Sequence, residues 1–277
     1  MQSSIRLKVG KWFTEGGMDK IALIQVVRDD TDILFNNWVY YYNIGVRDYY
    51  IMLHMPEPEH FNIVEEFKDW FNDITIKVFV NTIDLHYHDK DCKVLTDAAR
   101  ADGFTWILGS DADELLVLRK HETIYDFIKD YPSDYYSIQF KFGTYPPLGN
   151  VPEHVNAFTH LTGRDPEWRK EEKSIGRFND VMFYVPGLHF IMNARRQIHV
   201  DPDTAFYAHF RDRTEAQFEK KYLIQNKNWL ERYGQFPLSD QIAKDPDFLK
   251  KHWADTCNFN LTKTLVNDPI NQRLFQL

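Results

Sequence analysis

Between residues 20 and 108 the chain alternates short apolar runs with amphipathic stretches, and this alternation constrains the fold more than any other feature. Lys20 to Val27, KIALIQVV, is almost continuously apolar and too short for a typical helix, which predicts a buried strand. Asp29, Asp30 and Thr31 then open a helix whose apolar positions Ile33, Leu34, Trp38 and Tyr41 keep near-helical spacing, and Gly45 closes it. DYYIMLHM is a second strand, stopped by Pro56 and Pro58, and a helix with one apolar face follows through Ile63, Val64, Phe67, Trp70 and Phe71. ITIKVFV, a helix around Lys93 to Ala101, and FTWIL complete the series. Strands alternating with helices predict an α/β fold with a mostly parallel central sheet and helices on both faces. Ligands of such sheets bind beyond the carboxyl ends of the strands.

Two acidic clusters fall at those ends. Asp29 and Asp30 follow the first strand; Asp111, Asp113 and Glu114 follow the fourth, between two stretches that both read as buried. Packing alone does not ask for three carboxyls there. The segment is either a tight acidic turn between two strands or the seat of something positively charged. Two aspartates one residue apart can place oxygens on one hard cation, and Mg²⁺ commonly takes only one or two carboxylates, leaving room for phosphate oxygens. By itself the pattern is a weak signal; its place after the fourth strand strengthens it.

The second half is less regular. Tyr135 to Tyr145 reads as a strand; residues 146–173 form a long loop rich in proline and charge; VMFYVPGLHFIMN and TAFYAHF read as further strands. Thr214 and Gln217 make a capping-box match that opens a helix running toward Tyr233, the start of a C-terminal helical extension. The expectation is a single domain over residues 1–277, with a nucleotide-binding half at about 18–118 and an acceptor half with the C-terminal helices at about 119–277.

Composition removes several classes. A net charge of −8 argues against non-specific nucleic-acid binding. No window approaches the roughly 20 apolar residues of a membrane span, so a cytoplasmic protein is expected, with peripheral membrane association left open. Cys92 and Cys257 make neither a disulfide framework nor a ligand pair at useful spacing, in keeping with a reducing compartment. HYHDKDC, residues 86–92, carries many donors but reads as a solvated loop and helix cap. The tyrosines of WVYYYN read as core packing. No Gly-rich phosphate loop follows the first strand. A phosphatase of the Asp-x-Asp-x-Thr type would need its pair after the first strand and a Thr or Val where Leu115 stands.

Three segments together resemble metal-dependent GT-A glycosyltransferases of the family 2-like and family 92-like group. VVRDDTDILFNNWVYYYNIGVRDYYIM is similar to that group's opening segment, and SDADELL to its Asp-x-Asp-Glu-Phe-Leu segment, with Leu115 for the usual Phe. KSIGRF, GLHF and AHFRDRTEAQFEKK resemble its carboxy-terminal run. The likeness spans roughly Lys20 to Lys221; Asp30 stands where Glu is usual, and the acceptor-side loop carries no motif that extends the resemblance. The resemblance implies a GT-A fold and transfer of a sugar, with inversion, from a UDP-, GDP- or dTDP-sugar to a hydroxyl of a glycan or glycoconjugate, as in polysaccharide biosynthesis. It implies Mn²⁺ or Mg²⁺ as cofactor, with Asp111, Asp113 and His209 as metal ligands and His189 as the rival of His209. It places Val27, Arg28, Asp29 and Asp30 along the nucleotide pocket with Asp111, Ala112 and Asp113, and Lys173, Arg177 and His189 near the diphosphate. Arg211 and Arg213 are further basic groups for that role.

Helix capping by Asp29 or Asp30 is compatible with the same role. The base for the acceptor hydroxyl is sought among Glu153, Asp165, Glu167, Glu171 and Glu172, with Asp165 and Glu167, beside Trp168, preferred. The alternatives are a catalytically silent nucleotide-sugar or glycan-binding module and a metal-dependent nucleotidyltransferase.

Overall fold

A computed structural model of the chain describes residues 19–83, 88–131, 134, 136–178, 183–184, 189, 191–192, 196–235 and 237–277. The expected alternation is present as β1 (Ile21–Val27), α1 (Thr31–Asn43), β2 (Asp48–His54), α2 (Pro58–Trp70), β3 (Thr75–Asn81), α3 (His88–Ala101) and β4 (Trp106–Gly109). β3, β2, β1 and β4 lie side by side in that order, all parallel. Successive β1 residues face opposite ways, as the pleat requires. Ile21, Leu23 and Val27 join the core under α1 and α2, whereas Ala22, Ile24 and Val26 pack with Cys92, Leu95 and Ala99 of α3. Helices therefore cover both faces, and β3, the edge strand, is the most exposed of the four.

Beyond β4 the sheet continues through elements that the sequence shows poorly. β5 (Glu114–Leu118) follows the acidic segment at once, then α4 (Ile124–Lys129), β6 (Ser137–Thr144), α5 (Ala157–His160), β7 (Gly163–Arg164) and β8 (Glu172–Arg177). β9 (Phe183–Tyr184) and β10 (Ile191–Met192) form a small antiparallel pair, and β11 (Gln197–Val200) and β12 (Ala205–His209) return to the main sheet. After β4 the order runs β8, β6, β12, β5, with β11 also paired to β6. β8 is antiparallel to both β4 and β6, and β5 is antiparallel to β12, so a mostly parallel sheet carries two reversed strands. The long loop is thus interrupted by α5, β7 and β8. Of VMFYVPGLHFIMN, only the two short strands and His189 lie within the described residues.

α6 (Glu215–Tyr233), α7 (Ser239–Lys244) and α8 (Phe248–Leu261) make the helical extension, and β13 (Val266–Asn267) pairs with β7. Thr214 caps α6 by accepting a hydrogen bond from the Gln217 N–H at 3.2 Å, and Gly234 ends it at φ +70°. That left-handed turn is one glycine adopts at little cost. No helix among the described residues is long and apolar enough to cross a membrane.

Candidate metal and nucleotide site

β4 and β5 are joined by Ser110 to Asp113, so the acidic stretch is indeed a tight turn between two strands. It is held by α1. Asn37, fully buried, donates to the Glu114 carbonyl at 2.9 Å and accepts from Gln25, whose own carbonyl receives the Trp38 indole N–H at 2.8 Å. The Tyr41 hydroxyl donates to Ser110 Oγ at 2.7 Å, and Tyr40 donates to the Leu116 carbonyl at 2.9 Å. WVYYYN is core, as expected, and its polar tips also fix the acidic corner. A buried polar network with its members satisfied favours one arrangement.

Positive charge sits at the turn as well. Lys173, at the start of β8 and wholly buried, places Nζ 3.0 Å from Asp111 Oδ2 and 2.8 Å from Glu114 Oε2. Lys221, in the second turn of α6, places Nζ 2.6 Å from Asp113 Oδ2. His209 ends β12 in register with Glu114, its Nε2 3.6 Å from the same Asp113 oxygen and its ring stacked on Phe142. Both answers to the question posed by the sequence hold: a turn, with cations on it.

These neighbours set the ionisation. Burial would raise Asp113, but Lys221 and His209 hold its carboxyl well below the usual carboxylate range. Asp111 is likewise lowered, Lys173 and His88 outweighing burial. Glu114 is sealed beside two other acids, and burial pushes it up to about 8 despite Lys173. Burial lowers His209, keeping its imidazole neutral, and lowers His189 to about 4, with Lys173 adding to the effect.

The tip of the first strand reaches the same place. Asp30 bonds Arg213 at 2.8 Å, and Arg213, completely buried, also grips Asp32 through two nitrogens. Asp30 is raised chiefly by burial, and it feels Lys221, Arg213 and Asp113 together. Asp29 pairs with Lys220 at 3.1 Å. Asp30 occupies the N-cap position of α1 but makes no side-chain cap bond, so capping does not account for it. Arg28 lies within 3.8 Å of Asp29, and Val27 and Ala112 are buried beside the two acidic clusters.

Other expected residues fall elsewhere. Arg177 occupies the far end of β8, opposite Trp106 at the beginning of β4. Four residues along a strand from Lys173 is about 13 Å, and the guanidinium covers the Trp106 ring 4.6 Å from its centre. It does not reach the acidic corner. Arg213 is there, but its donors are spent on Asp30, Asp32 and backbone carbonyls, so it is a clamp rather than a free phosphate contact. Asp165 sits at the carboxyl end of β6, where its N–H reaches the Thr144 carbonyl, but Lys263 holds its carboxylate at 2.7 Å. Burial would raise Asp165; the Lys263 and Glu167 hydrogen bonds win and lower it. Glu167 is exposed. Among the other loop acids, Glu153 lies beside His154, Glu171 pairs with Arg169, and Glu172 pairs with Lys141. His189 meets the same Phe142 ring in an edge arrangement, with ring centroids 6.2 Å apart.

Three members were missed. Glu114 belongs to the convergent set: donor atoms of Asp113, Glu114 and His209 all lie within 4.8 Å of one another, and Glu114 shares Lys173 with Asp111, which lies outside the set and also meets His88. Lys221 was visible only as the end of a family-like run. His88, expected in a solvated loop, instead turns inward to Asp111; His86 and Tyr87 lie outside the described residues.

Two carboxyl groups plus a neutral imidazole are a donor set that fits Mn²⁺ or Mg²⁺ once Glu114, pushed up to about 8, gives up its proton on binding. Arg169 Nη1 lies 3.4 Å from His209 Nδ1; because arginine has no acceptor, this places the ring proton on Nε2. Ligation through Nε2 would require the other tautomer and release of that long contact.

No protein-family model matches the chain, and no curated protein does. Among solved structures the chain is similar to the mannosyltransferase PcManGT from Pyrobaculum calidifontis in complex with GDP-Man and Mn²⁺, at 10% identity over 89% of this chain and 76% of that one, with a TM-score of 0.44.

Proposed function

We propose that the chain is a metal-dependent, inverting glycosyltransferase of the GT-A type, moving a sugar from a nucleotide-diphosphate sugar to an acceptor hydroxyl on a glycan or glycoconjugate. The observation that carries this reading is that the acids at the ends of the first and fourth strands each hold a basic group from the C-terminal part of the chain, Asp30 bonding Arg213 at 2.8 Å and Asp113 meeting Lys221 at 2.6 Å. A nucleotide along Val27 to Asp30 would bring its diphosphate toward the turn that carries Asp111 and Asp113. Asp113, Glu114 and His209 would hold the cation, which when bound supplies Lewis-acid neutralisation of the leaving diphosphate.

The chain's own residues do the rest. Lys221, only partly buried, is placed to exchange its carboxylate for a phosphate oxygen, while the sealed Lys173 keeps Asp111 and Glu114 in register. In the transfer the acceptor oxygen bonds to the anomeric carbon, the bond from that carbon to the diphosphate oxygen breaks, and the hydroxyl proton passes to a carboxylate. Asp165 takes that role in this reading, being held ionised at the carboxyl end of β6. Its pairing with Lys263 favours one rival, a module that binds donor without turnover.

Incubation with UDP-, GDP- and dTDP-sugars plus Mn²⁺, followed by assay for released nucleoside diphosphate, separates the two. Release that disappears in Asp113→Ala supports the transferase; saturable binding without release on any acceptor supports the module; neither binding nor release defeats the reading.

A further inference from the structure

A cavity of about 260 Å³ lies beyond the carboxyl end of β6, apart from the acidic corner. β6 is antiparallel to β8, as β4 is, so its carboxyl end falls on the same edge of the sheet as those of β1 and β4. Along that edge Glu114 pairs with His209, His209 pairs with Thr144, and the Thr144 carbonyl accepts from the Asp165 N–H. Adjacent strands lie about 4.8 Å apart, so three such steps carry the Asp165 backbone roughly 14 Å from that of Glu114. The cavity begins there: Gly163, two residues before Asp165, and Leu265, two residues after Lys263, both stand in its wall.

Segments far apart in sequence form the walls and bond to one another. The Asn260 amide donates to the Pro147 carbonyl at 2.9 Å, and the Asp268 N–H donates to the Thr162 carbonyl at 2.9 Å. Asn150 Oδ1 accepts from the Glu215 N–H at 2.7 Å, and the Val151 N–H donates to the Arg213 carbonyl at 2.9 Å. The loop after β6 is thus tied to the residue that clamps Asp30. Gly163 lets Leu265 close in, since a Cβ there would stand 2.8 Å from Leu265 Cδ1. Walls fixed in this way need little further ordering when a ligand binds.

The lining is mixed and uncharged. Leu148, Leu161 and Leu265 supply aliphatic surface, Asn150, His160 and Thr162 supply polar groups, and among the described residues no Lys, Arg, Asp or Glu lines it. Asp165 and Lys263, just outside, hold each other at 2.7 Å. A phosphate or carboxylate finds no counter-ion in such a lining, whereas a pyranose ring offers a C–H face to the leucines and hydroxyls to the polar groups. The volume is just below the ~300 Å³ at which pockets for drug-sized ligands begin, which suits a small ring rather than a nucleotide sugar. We propose that this cavity seats the terminal sugar of the acceptor, and that this sugar is uncharged. The inference rests on the transferase reading above and places the sugar beside Asp165, the carboxylate assigned as base.

Gly149 also stands in the wall, and no described atom beyond its chain neighbours lies within 4 Å of where a Cβ would be, so Gly149→Trp starts from open space. Two measurements on the full chain, with Mn²⁺ and a nucleoside diphosphate or its sugar present, test the assignment. Saturation-transfer NMR with the methyl glycosides of glucose, mannose and galactose should show contact for at least one, abolished by Gly149→Trp and kept by Gly149→Ser, which is too small to fill the cavity. No contact from any glycoside, contact that survives Gly149→Trp, equal loss in both variants, or contact of the same kind from methyl glucuronide overturns the assignment. In turnover, Gly149→Trp should raise the glycoside KM about tenfold or more and leave acceptor-independent release of nucleoside diphosphate within about twofold. Loss of both together overturns it. Thr162→Val keeps the shape and removes one hydroxyl, so it should raise the same KM about threefold even where the Trp variant folds poorly; an unmoved KM overturns the assignment. A wild-type chain that releases no nucleoside diphosphate defeats the transferase reading, and the NMR contact then decides the cavity alone.

Discussion

Replacing Arg213 with methionine keeps much of the side-chain volume but deletes a guanidinium that makes five hydrogen bonds, two to Asp32, one to Asp30 and two to the carbonyls of Phe210 and Arg211. Asp32 is 45% exposed, so its share is that of a surface pair, about 0–1 kcal/mol. Asp30 is mostly buried and the Phe210 carbonyl wholly so. Removing one member of a buried pair costs roughly 3–5 kcal/mol because a charge is stranded. Lys221 remains near Asp30 and offsets part of that, so roughly 3–4 kcal/mol is expected, equivalent to a Tm lower by roughly 6–16 °C.

Urea unfolding at neutral pH reads this as a lower midpoint with an unchanged slope. Arg213→Lys keeps the charge but not the fork, and should lose about half as much. Adding Asp30→Asn to Arg213→Met should recover roughly 1 kcal/mol, since the two sites are in contact and the stranded charge is gone. A loss below about 1 kcal/mol for Arg213→Met would mean that the clamp does not hold the first-strand tip to the acidic corner.

Three further outcomes follow. Lys221→Met removes the ammonium 2.6 Å from Asp113 Oδ2 and should tighten Mn²⁺ binding by calorimetry, because the ion no longer competes for that oxygen; weaker binding would show that Lys221 assists the ion. His189 titrates near 4 in the folded chain against an ordinary 6.5. Between those values the unfolded chain binds the extra proton, so stability rises with pH across that window, is fully present above 6.5, and falls as pH drops toward 4. His189→Gln should flatten that part of the urea-midpoint profile, and an unchanged slope would contradict the assignment. Gly143→Ala would put a Cβ 2.7 Å from Arg164 Cδ and 3.0 Å from the Trp168 ring; a cost of about 1–3 kcal/mol in chemical unfolding is expected, and a neutral change would show that the loop yields.

The first seven elements were legible because each carries a complete local signal: an apolar run of strand length, or apolar residues at helical spacing between turn residues. The α6 start was legible for the same reason, its cap being written in Thr214 and Gln217. β8 was not, since EKSIGR has little apolar content and gains its place only by pairing with β4 and β6. That pairing also decides why Lys173 and Arg177, four residues apart and chemically alike, part company: one strand carries them to opposite ends of the sheet. Asp113 and His209 were read as partners from family likeness, and the antiparallel pairing of β5 with β12 is the physical means that brings them together. The inward turn of His88 depends on the packing of α3 under the sheet, which no local pattern encodes. Arg213 could be recognised as basic but not as buried, because its burial depends on Asp30 and Asp32 from the far end of the chain.

Titration of Mn²⁺ into the full chain, followed by loss of the free-ion EPR signal with and without a nucleoside diphosphate, bears most directly on the acidic corner. One bound ion is predicted, tightened by the diphosphate as linkage requires and lost in Asp113→Asn while the fold persists. An ion that fails to bind, or that binds equally well to Asp113→Asn, would contradict the account.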